Sequence, residues 1–265
     1  MRLKLNQRVI FQRCLATSFA VSLFCVCTTI RADAESRQPD DSSQSVEKSS
    51  AKPFKLTFGR YHYNAGADGT DLNLRYRTGE ISAWLGIYHD RDFGQQWRSG
   101  IERAFAPLDG VPLSLQFSGQ AASRGFLGGS VTLEYGEPWF VSAGLGRTNN
   151  KPYFNLNFDP NDALSAAFGF RSATGLTAYV FAVRDNRLNP GQQNTHWVLR
   201  WPMANRQRLT IDLQRKTGLG AERNDKDWAL GLTWDFRDWS IRVADDRKQN
   251  FGDVDALRVS VAYRF

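Results

Sequence analysis

From Phe54 onward, apolar side chains recur at every second position in stretches of about ten residues, a length that suits strands crossing a bilayer at a tilt. Successive side chains of an extended chain point to opposite faces, so each stretch offers one apolar and one polar face. Leu72, Leu74 and Tyr76 alternate with Asn73, Arg75 and Arg77. Val111, Leu113, Leu115 and Phe117 alternate with Ser114, Gln116 and Ser118, and Leu127, Val131, Leu133 and Tyr135 with Gly128, Ser130, Thr132 and Glu134. The pattern returns at Leu164/Ala166/Phe168/Phe170, Leu209/Ile211/Leu213, Trp228/Leu230/Leu232/Trp234 and Trp239/Ile241/Val243. No helical period competes with it, and no apolar run in this region is long enough for a membrane helix. A soluble two-layer sandwich and a transmembrane barrel both predict this alternation.

Three features favour the barrel. The polar face is rich in glycine and small polar residues, which suits a wet or tapering lumen. Trp97, Tyr135, Trp139, Trp197, Trp201, Trp228, Trp234, Trp239 and Tyr263 gather at strand ends, where interfacial girdles form. The polar breaks alternate between short and long, as tight periplasmic turns and longer outer loops do.

The final stretch, Asp255 to Phe265, carries the pattern to its end: Leu257, Val259, Val261, Tyr263 and Phe265 share one face, with Arg258, Ser260, Ala262 and Arg264 on the other. It resembles the C-terminal strand of bacterial outer-membrane β-barrel proteins. The resemblance implies a Gram-negative outer-membrane location, a strand read by the barrel assembly machinery, and a porin-like architecture, and leaves the activity open.

The breaks set the strand number. If the chain enters from the periplasm, strand one (54–64) rises and every second connection is short. Short turns fall at Thr78-Gly79-Glu80, Pro107 to Gly110, Tyr135 to Pro138, Ser172 to Gly175, Pro202 to Asn205 and Arg237-Asp238. Longer loops fall at 65–69, 90–95, 120–125, 148–162, 185–194, 217–226 and 248–254. The expected fold is therefore all-β: a transmembrane antiparallel up-and-down β-barrel of about 14 strands, within a bracket of 12–16. Tyr153 to Phe158 is assigned to a long loop, because a further strand there would make the count odd.

Upstream, residues 1–34 read as a cleaved signal peptide. Arg2, Lys4, Arg8 and Arg13 form a basic opening, Cys14 to Ile30 an apolar run, and Ala32-Asp33-Ala34 an A-x-A site before Glu35. Residues 35–53 are Ser-rich and charged and cannot bury enough apolar surface to order themselves, which fits a disordered periplasmic tail or linker before a barrel domain at 54–265. All three cysteines, Cys14, Cys25 and Cys27, lie in the signal, so the mature chain has no disulfide, thiolate nucleophile or cysteine metal site. The signal holds five basic residues and one acid, so its loss lowers the net charge from +7 to +3, and nucleic-acid binding loses its compositional support.

Catalytic signals are sparse: G-x-S-x-G, H-E-x-x-H and phosphate-loop motifs are all absent. The candidate catalytic residues are His62, His89 and His196, expected near the outer ends of strands 1, 3 and 9, where outer-membrane lipid hydrolases place a histidine. None has a Ser two residues away on its own face, so enzymatic activity is the less favoured reading. No cofactor or metal is expected, and Asp159-Pro160-Asn161-Asp162 reads as an acidic loop tip.

The polar face carries more information. Alternation turns Arg75, Arg77, Arg98, Arg171, Arg200, Arg208, Lys216, Arg242, Arg258 and Arg264 inward, together with Glu102, Glu134, Asp212 and Asp235. Ten cations against four anions predict a positive lumen that attracts small anionic or polyhydroxylated solutes. An internal ion-pair network filling a closed barrel would use the same residues. Arg91, Arg147, Lys151, Arg187, Arg223, Lys226, Arg247 and Lys248 are expected in outer loops, facing lipopolysaccharide phosphates beside the membrane lipid. Three functions fit these observations: a channel or transport protein, a non-conducting structural, adhesion or assembly-related barrel, and a lipid-modifying hydrolase. The lumen charge puts the channel first.

Overall fold

The computed structural model describes residues 52–156, 159–219 and 224–265. The proposed signal peptide, and all of the proposed tail except Lys52 and Pro53, lie outside the described residues.

Fourteen strands follow one another in sequence. β1 (Phe54–Tyr63), β2 (Gly69–Thr78), β3 (Ile81–Asp90), β4 (Gly94–Phe105) and β5 (Leu113–Ala122) make the first wall. β6 (Phe126–Tyr135), β7 (Trp139–Thr148), β8 (Ala163–Arg171), β9 (Thr177–Asp185) and β10 (Gln193–Met203) continue it. β11 (Gln207–Leu219), β12 (Asn224–Phe236), β13 (Trp239–Asp246) and β14 (Ala256–Arg264) complete it. Each strand pairs antiparallel with its sequence neighbours, and β14 returns to pair with β1, closing the sheet. Closure removes every open edge, so the backbone donors and acceptors of the spanning strands are satisfied within the wall, as hydrocarbon requires.

The two faces divide as their residues dictate. Leu56, Phe58, Leu72, Leu74, Leu85, Ile87, Phe117, Val141, Phe168, Leu230, Val243 and Val261 all stand exposed on the outside. An apolar surface so extensive and continuous is the signature of a wall that faces lipid. Aromatic residues rim it at the turn end, where Phe54 packs on Tyr76, Trp139 on Phe168 and Trp239 on Tyr263, with ring centroids 5.1, 5.5 and 4.8 Å apart. At the loop end Trp197 stacks on Trp228 at 5.9 Å.

The turn-end connections are tight. Gly79 (φ +49°) turns β2 into β3, and the backbone at Asn205 and Arg206 is left-handed at both residues, which reverses the chain between β10 and β11.

Strands run further into the loop end than apolar alternation indicated. β5 continues to Ala122, β10 begins at Gln193, β11 reaches Leu219 and β12 starts at Asn224, so the expected loop at 120–125 is strand as far as Ala122 and the described part of 217–226 is strand, while the expected loop at 185–194 keeps residues 186–192 outside the strands. Arg147 and Lys226 accordingly sit on β7 and β12 and not in loops. Beyond the lipid belt both faces meet polar surroundings, so the strands persist without the pattern that announces them. His196 lies on the tenth strand, not the ninth. The ninth, TAYVFAVRD, has small or apolar residues on both faces and only a faint alternation.

Candidate functional site: the barrel lumen

The alternate residues of the lipid-facing strands build the inside. A cavity of about 270 Å³ is lined by Arg75 of β2, Arg98 and Glu102 of β4, Arg200 of β10, Arg208 and Asp212 of β11, Arg242 of β13 and Arg258 of β14. Arg171 lines a smaller recess of about 20 Å³, together with Glu134 and Arg200. Arg77 lies on the inner face of β2, two residues nearer the turn than Arg75. Strand register sets these groups in rows. Arg171, Thr177, Arg200, Thr210, Thr233 and Arg242 are successive partners across β8 to β13, an arginine and hydroxyl row girding the wall.

Most of the interior cations meet acids. Arg98 donates to both carboxylate oxygens of Asp71, at 3.2 and 3.0 Å, and the Asp71 side chain is 1% exposed. Arg171 and Glu134 approach to 2.8 Å, and Arg75 and Glu102 to 3.7 Å. Asp235 accepts from Arg208 at 2.7 Å and from Arg264 at 3.4 Å, while Lys216 is buried against Asp246. Acids as buried as Asp71 and Asp246 need such a partner, so removing the cation costs more than the pair contributes. Two arginines differ: among the described residues, neither Arg200 nor Arg258 meets a carboxylate. Arg200 donates from Nη2 to the Tyr179 hydroxyl at 2.7 Å, and the Arg258 guanidinium lies 5.2 Å from the centre of the Tyr61 ring. The Nε–H of each is buried without a hydrogen-bond partner.

The described parts of the connection between β7 and β8, residues 149–156 and 159–162, enter the barrel instead of standing above it. Leu156 is buried among Tyr61, Tyr63, Tyr88 and Ala256. Phe154 stacks on Tyr88 at 4.5 Å and exchanges two hydrogen bonds with the Gln96 side chain, donating to Oε1 at 2.8 Å and accepting from Nε2 at 3.0 Å. Tyr153 stacks on Phe126 at 4.2 Å. Further along, Asp159 accepts from Asn194 at 2.8 Å and contacts Nε2 of His196 at 3.1 Å. His196 Nδ1 lies 3.0 Å from Asp212, so both ring nitrogens face carboxylates and both must donate, which makes the ring an imidazolium. The expected acidic loop tip is thus turned inward: Asp159, Pro160 and Asn161 line the cavity, and Asp162 is buried against Thr148 and Arg187.

The three histidines do not converge. His62 is exposed on the outer face of β1, 2.8 Å from Asp68, and His89 is exposed on β3; neither hydrogen-bonds a serine. His196 belongs to the loop attachment inside. Among the described residues, no group of three or more histidine, cysteine or acidic side chains is arranged to hold a metal ion. Two loop carboxyls are perturbed. Burial raises the Asp159 pKa, but the neighbouring His196 charge and its hydrogen bonds outweigh this and hold it below the ordinary value. Hydrogen bonds from His62 and Arg60 lower that of Asp68.

No protein-family model matches the chain, and no curated protein matches it in sequence. Among solved structures, the outer membrane protein Omp33 of Acinetobacter baumannii superposes with a TM-score of 0.55 at 9% identity, over 81% of this chain and 98% of that one. This chain has an outer-membrane β-barrel fold. The outer membrane protein OprD of Pseudomonas aeruginosa gives a TM-score of 0.44 at 10% identity, over 82% of this chain and 95% of its own. The porin NanC gives 0.44 at 8%, over 80% and 100%.

Several groups of this outer-membrane barrel escape a reading of alternation alone. Asp71 lies just beyond the apolar part of β2 and Asp246 three residues beyond that of β13, and continuing the count by two and by four residues would have turned both inward. Trp84 was missed because it stands on the polar face. Its ring covers Gly100, where any Cβ would collide with the indole, and Arg75 lies 5.4 Å from its centre. The inward turn of Asp159 has no signal in local sequence, since it is decided by partners on β10 and β11.

Proposed function

We propose that this barrel sits in the Gram-negative outer membrane and conducts small solutes, with a lining that favours anionic and polyhydroxylated ones. The observation that carries the reading is the pair Arg200 and Arg258, two lumen guanidiniums with no carboxylate partner beside a cavity wide enough for water and small solutes. Paired arginines contribute little net field, whereas these two leave positive charge available in a confined, weakly screened space. Rows of Thr and Ser hydroxyls on the same wall suit polyhydroxylated solutes. Tyr153, Leu156 and Asp159 to Asn161 narrow the passage, so that selection takes place beside them.

The interior ion pairs and the fastened loop favour a second reading, a closed barrel with a structural or adhesive role. Planar-bilayer recording separates the two. The channel reading expects discrete conductance steps, with a reversal potential across a salt gradient that indicates anion preference. A silent purified barrel overturns it, and a cation preference overturns the lining argument.

Delivery by a signal cleaved before Glu35, capture of the Leu257-to-Phe265 strand by the assembly machinery, and contact of rim cations such as Arg187 and Arg247 with lipopolysaccharide phosphates belong to the same proposal. N-terminal sequencing of the mature protein tests the first.

A further inference from the structure

We propose that the recess beside Arg200 is a docking point for a single carboxylate group, and that the solute taken up is a small hydroxylated monocarboxylate whose body remains in the main cavity. The inference rests on the reading of the lumen as accessible to solutes and names the chemistry of what enters it.

Arg200 is 5% exposed, yet it borders both the cavity and the recess. A guanidinium removed from water needs its donors satisfied, and this one has a phenol on one nitrogen and nothing on Nε. Its neighbours prepare the spot for an anion. Glu134, the acid that lines the recess, is engaged by Arg171 at 2.8 Å, and the Arg171 guanidinium lies over the Phe140 ring at 3.8 Å. An incoming carboxylate would therefore meet the Arg200 guanidinium, whose donors are not all satisfied, a second cation nearby and an acid already neutralised. Two coplanar oxygens match the planar fork of arginine and make short charge-assisted bonds.

Size selects the group. A recess of about 20 Å³ has room for one to two water-sized bodies, about the bulk of a carboxylate head, while a ring or a longer chain stays outside. The space outside is the 270 Å³ cavity, whose lining includes Thr210, the partner of Arg200 on β11. Hydroxyls there suit a polyol body better than an apolar one.

The test is equilibrium binding of D-gluconate to the full barrel in detergent by isothermal titration, with sorbitol as a neutral body of similar size and inorganic phosphate as the alternative anion. Gluconate is expected to bind, sorbitol to give no measurable heat, and phosphate to bind more weakly than gluconate. Arg200→Gln should weaken gluconate about tenfold or more, since a hydrogen bond to a charged group is lost. Arg200→Lys, which keeps the charge without the fork, should fall between, and Arg60→Gln on the outer face should change nothing. Equal binding of sorbitol, tighter binding of phosphate, or unchanged affinity in a folded Arg200→Gln barrel would overturn the proposal. If neither Arg200 variant folds, Tyr179→Phe decides: it frees a second donor of the guanidinium, and gluconate affinity that does not change counts against the site. Gluconate that fails to bind a parent barrel which conducts defeats this inference alone, whereas a parent that neither binds nor conducts defeats the channel reading with it.

Discussion

Phe265 and Phe54 close the barrel by a reciprocal pair of backbone hydrogen bonds, each N–H donating to the other's carbonyl at 3.0 Å, with their rings stacked at 5.6 Å. The contact holds the turn end of the β1–β14 seam, the only junction in the sheet between strands distant in sequence. Deleting Phe265 should therefore lower the yield of heat-modifiable, folded barrel several-fold, whereas removing residues 40–49 should leave it nearly unchanged. Equal losses in the two deletions, read by gel mobility of unheated samples, would show that the seam does not depend on this pair.

Facing along β14 can be tested one residue at a time. Val259 is 44% exposed on the outer face, and Arg258 lines the cavity. Val259→Arg sets a cation against lipid and should destabilise the barrel by roughly 2–4 kcal/mol near the midplane. Arg258→Val should leave folding intact and reduce anion selectivity. Urea titration in lipid bilayers measures the first effect and reversal potentials the second.

Reversing lumen charges should have opposite consequences at two arginines of the lining. Arg258→Glu replaces a cation that has no carboxylate partner, so the protein should fold and its preference for anions should fall or invert. Arg208→Glu places a carboxylate beside Asp235, which Arg208 now holds at 2.7 Å, and should lower stability by a few kcal/mol. Similar folding yields for both variants would mean that the Arg208–Asp235 pair contributes little.

Acid should loosen the inner loop. The Asp159 pKa is held below its ordinary value of 3.8, so the bond to His196 and Asn194 contributes stability that is present above pH 4 and lost as pH falls through the lower folded-state value. Below that point single-channel traces should become noisier or rise in conductance. Asp159→Asn should show the loosened behaviour already at neutral pH and lose its acid dependence. A parent and an Asp159→Asn barrel that conduct alike at neutral pH would show that the loop is held by Phe154 and Leu156 alone.

How far the sequence could be read follows from the range of each interaction. Strand number and facing come from a two-residue period that any ten-residue window contains, so the walls and the inward turn of Arg75 or Arg258 were legible. Partnership was not. Arg98 and Asp71 are 27 residues apart and meet across β3, offset by the stagger of a closed sheet, which local alternation does not encode. The chain from 149 to 162 reads as a polar outer loop because Tyr153, Phe154 and Leu156 are too few to announce a buried segment, and they find their apolar partners on β1, β3 and β6. The recess beside Arg200 depends on five strands, β6 to β10, together. A Tyr and an Arg separated by 21 residues carry no motif.

The inward loop is fastened at Phe154 to β3 and β4 and at Asp159 to β10, walls six or seven strands apart in a ring of fourteen. Mechanically it is a tie-rod across a thin cylinder. A wall one strand thick bends easily under lateral pressure from the bilayer, and an untied ring would flatten towards an ellipse. Two anchor points of different chemistry, one aromatic and one ionic, set the spacing of the opposed walls, so acid would slacken one end while the other still held. The bore would then respond to pH by changing shape, with its strands still paired.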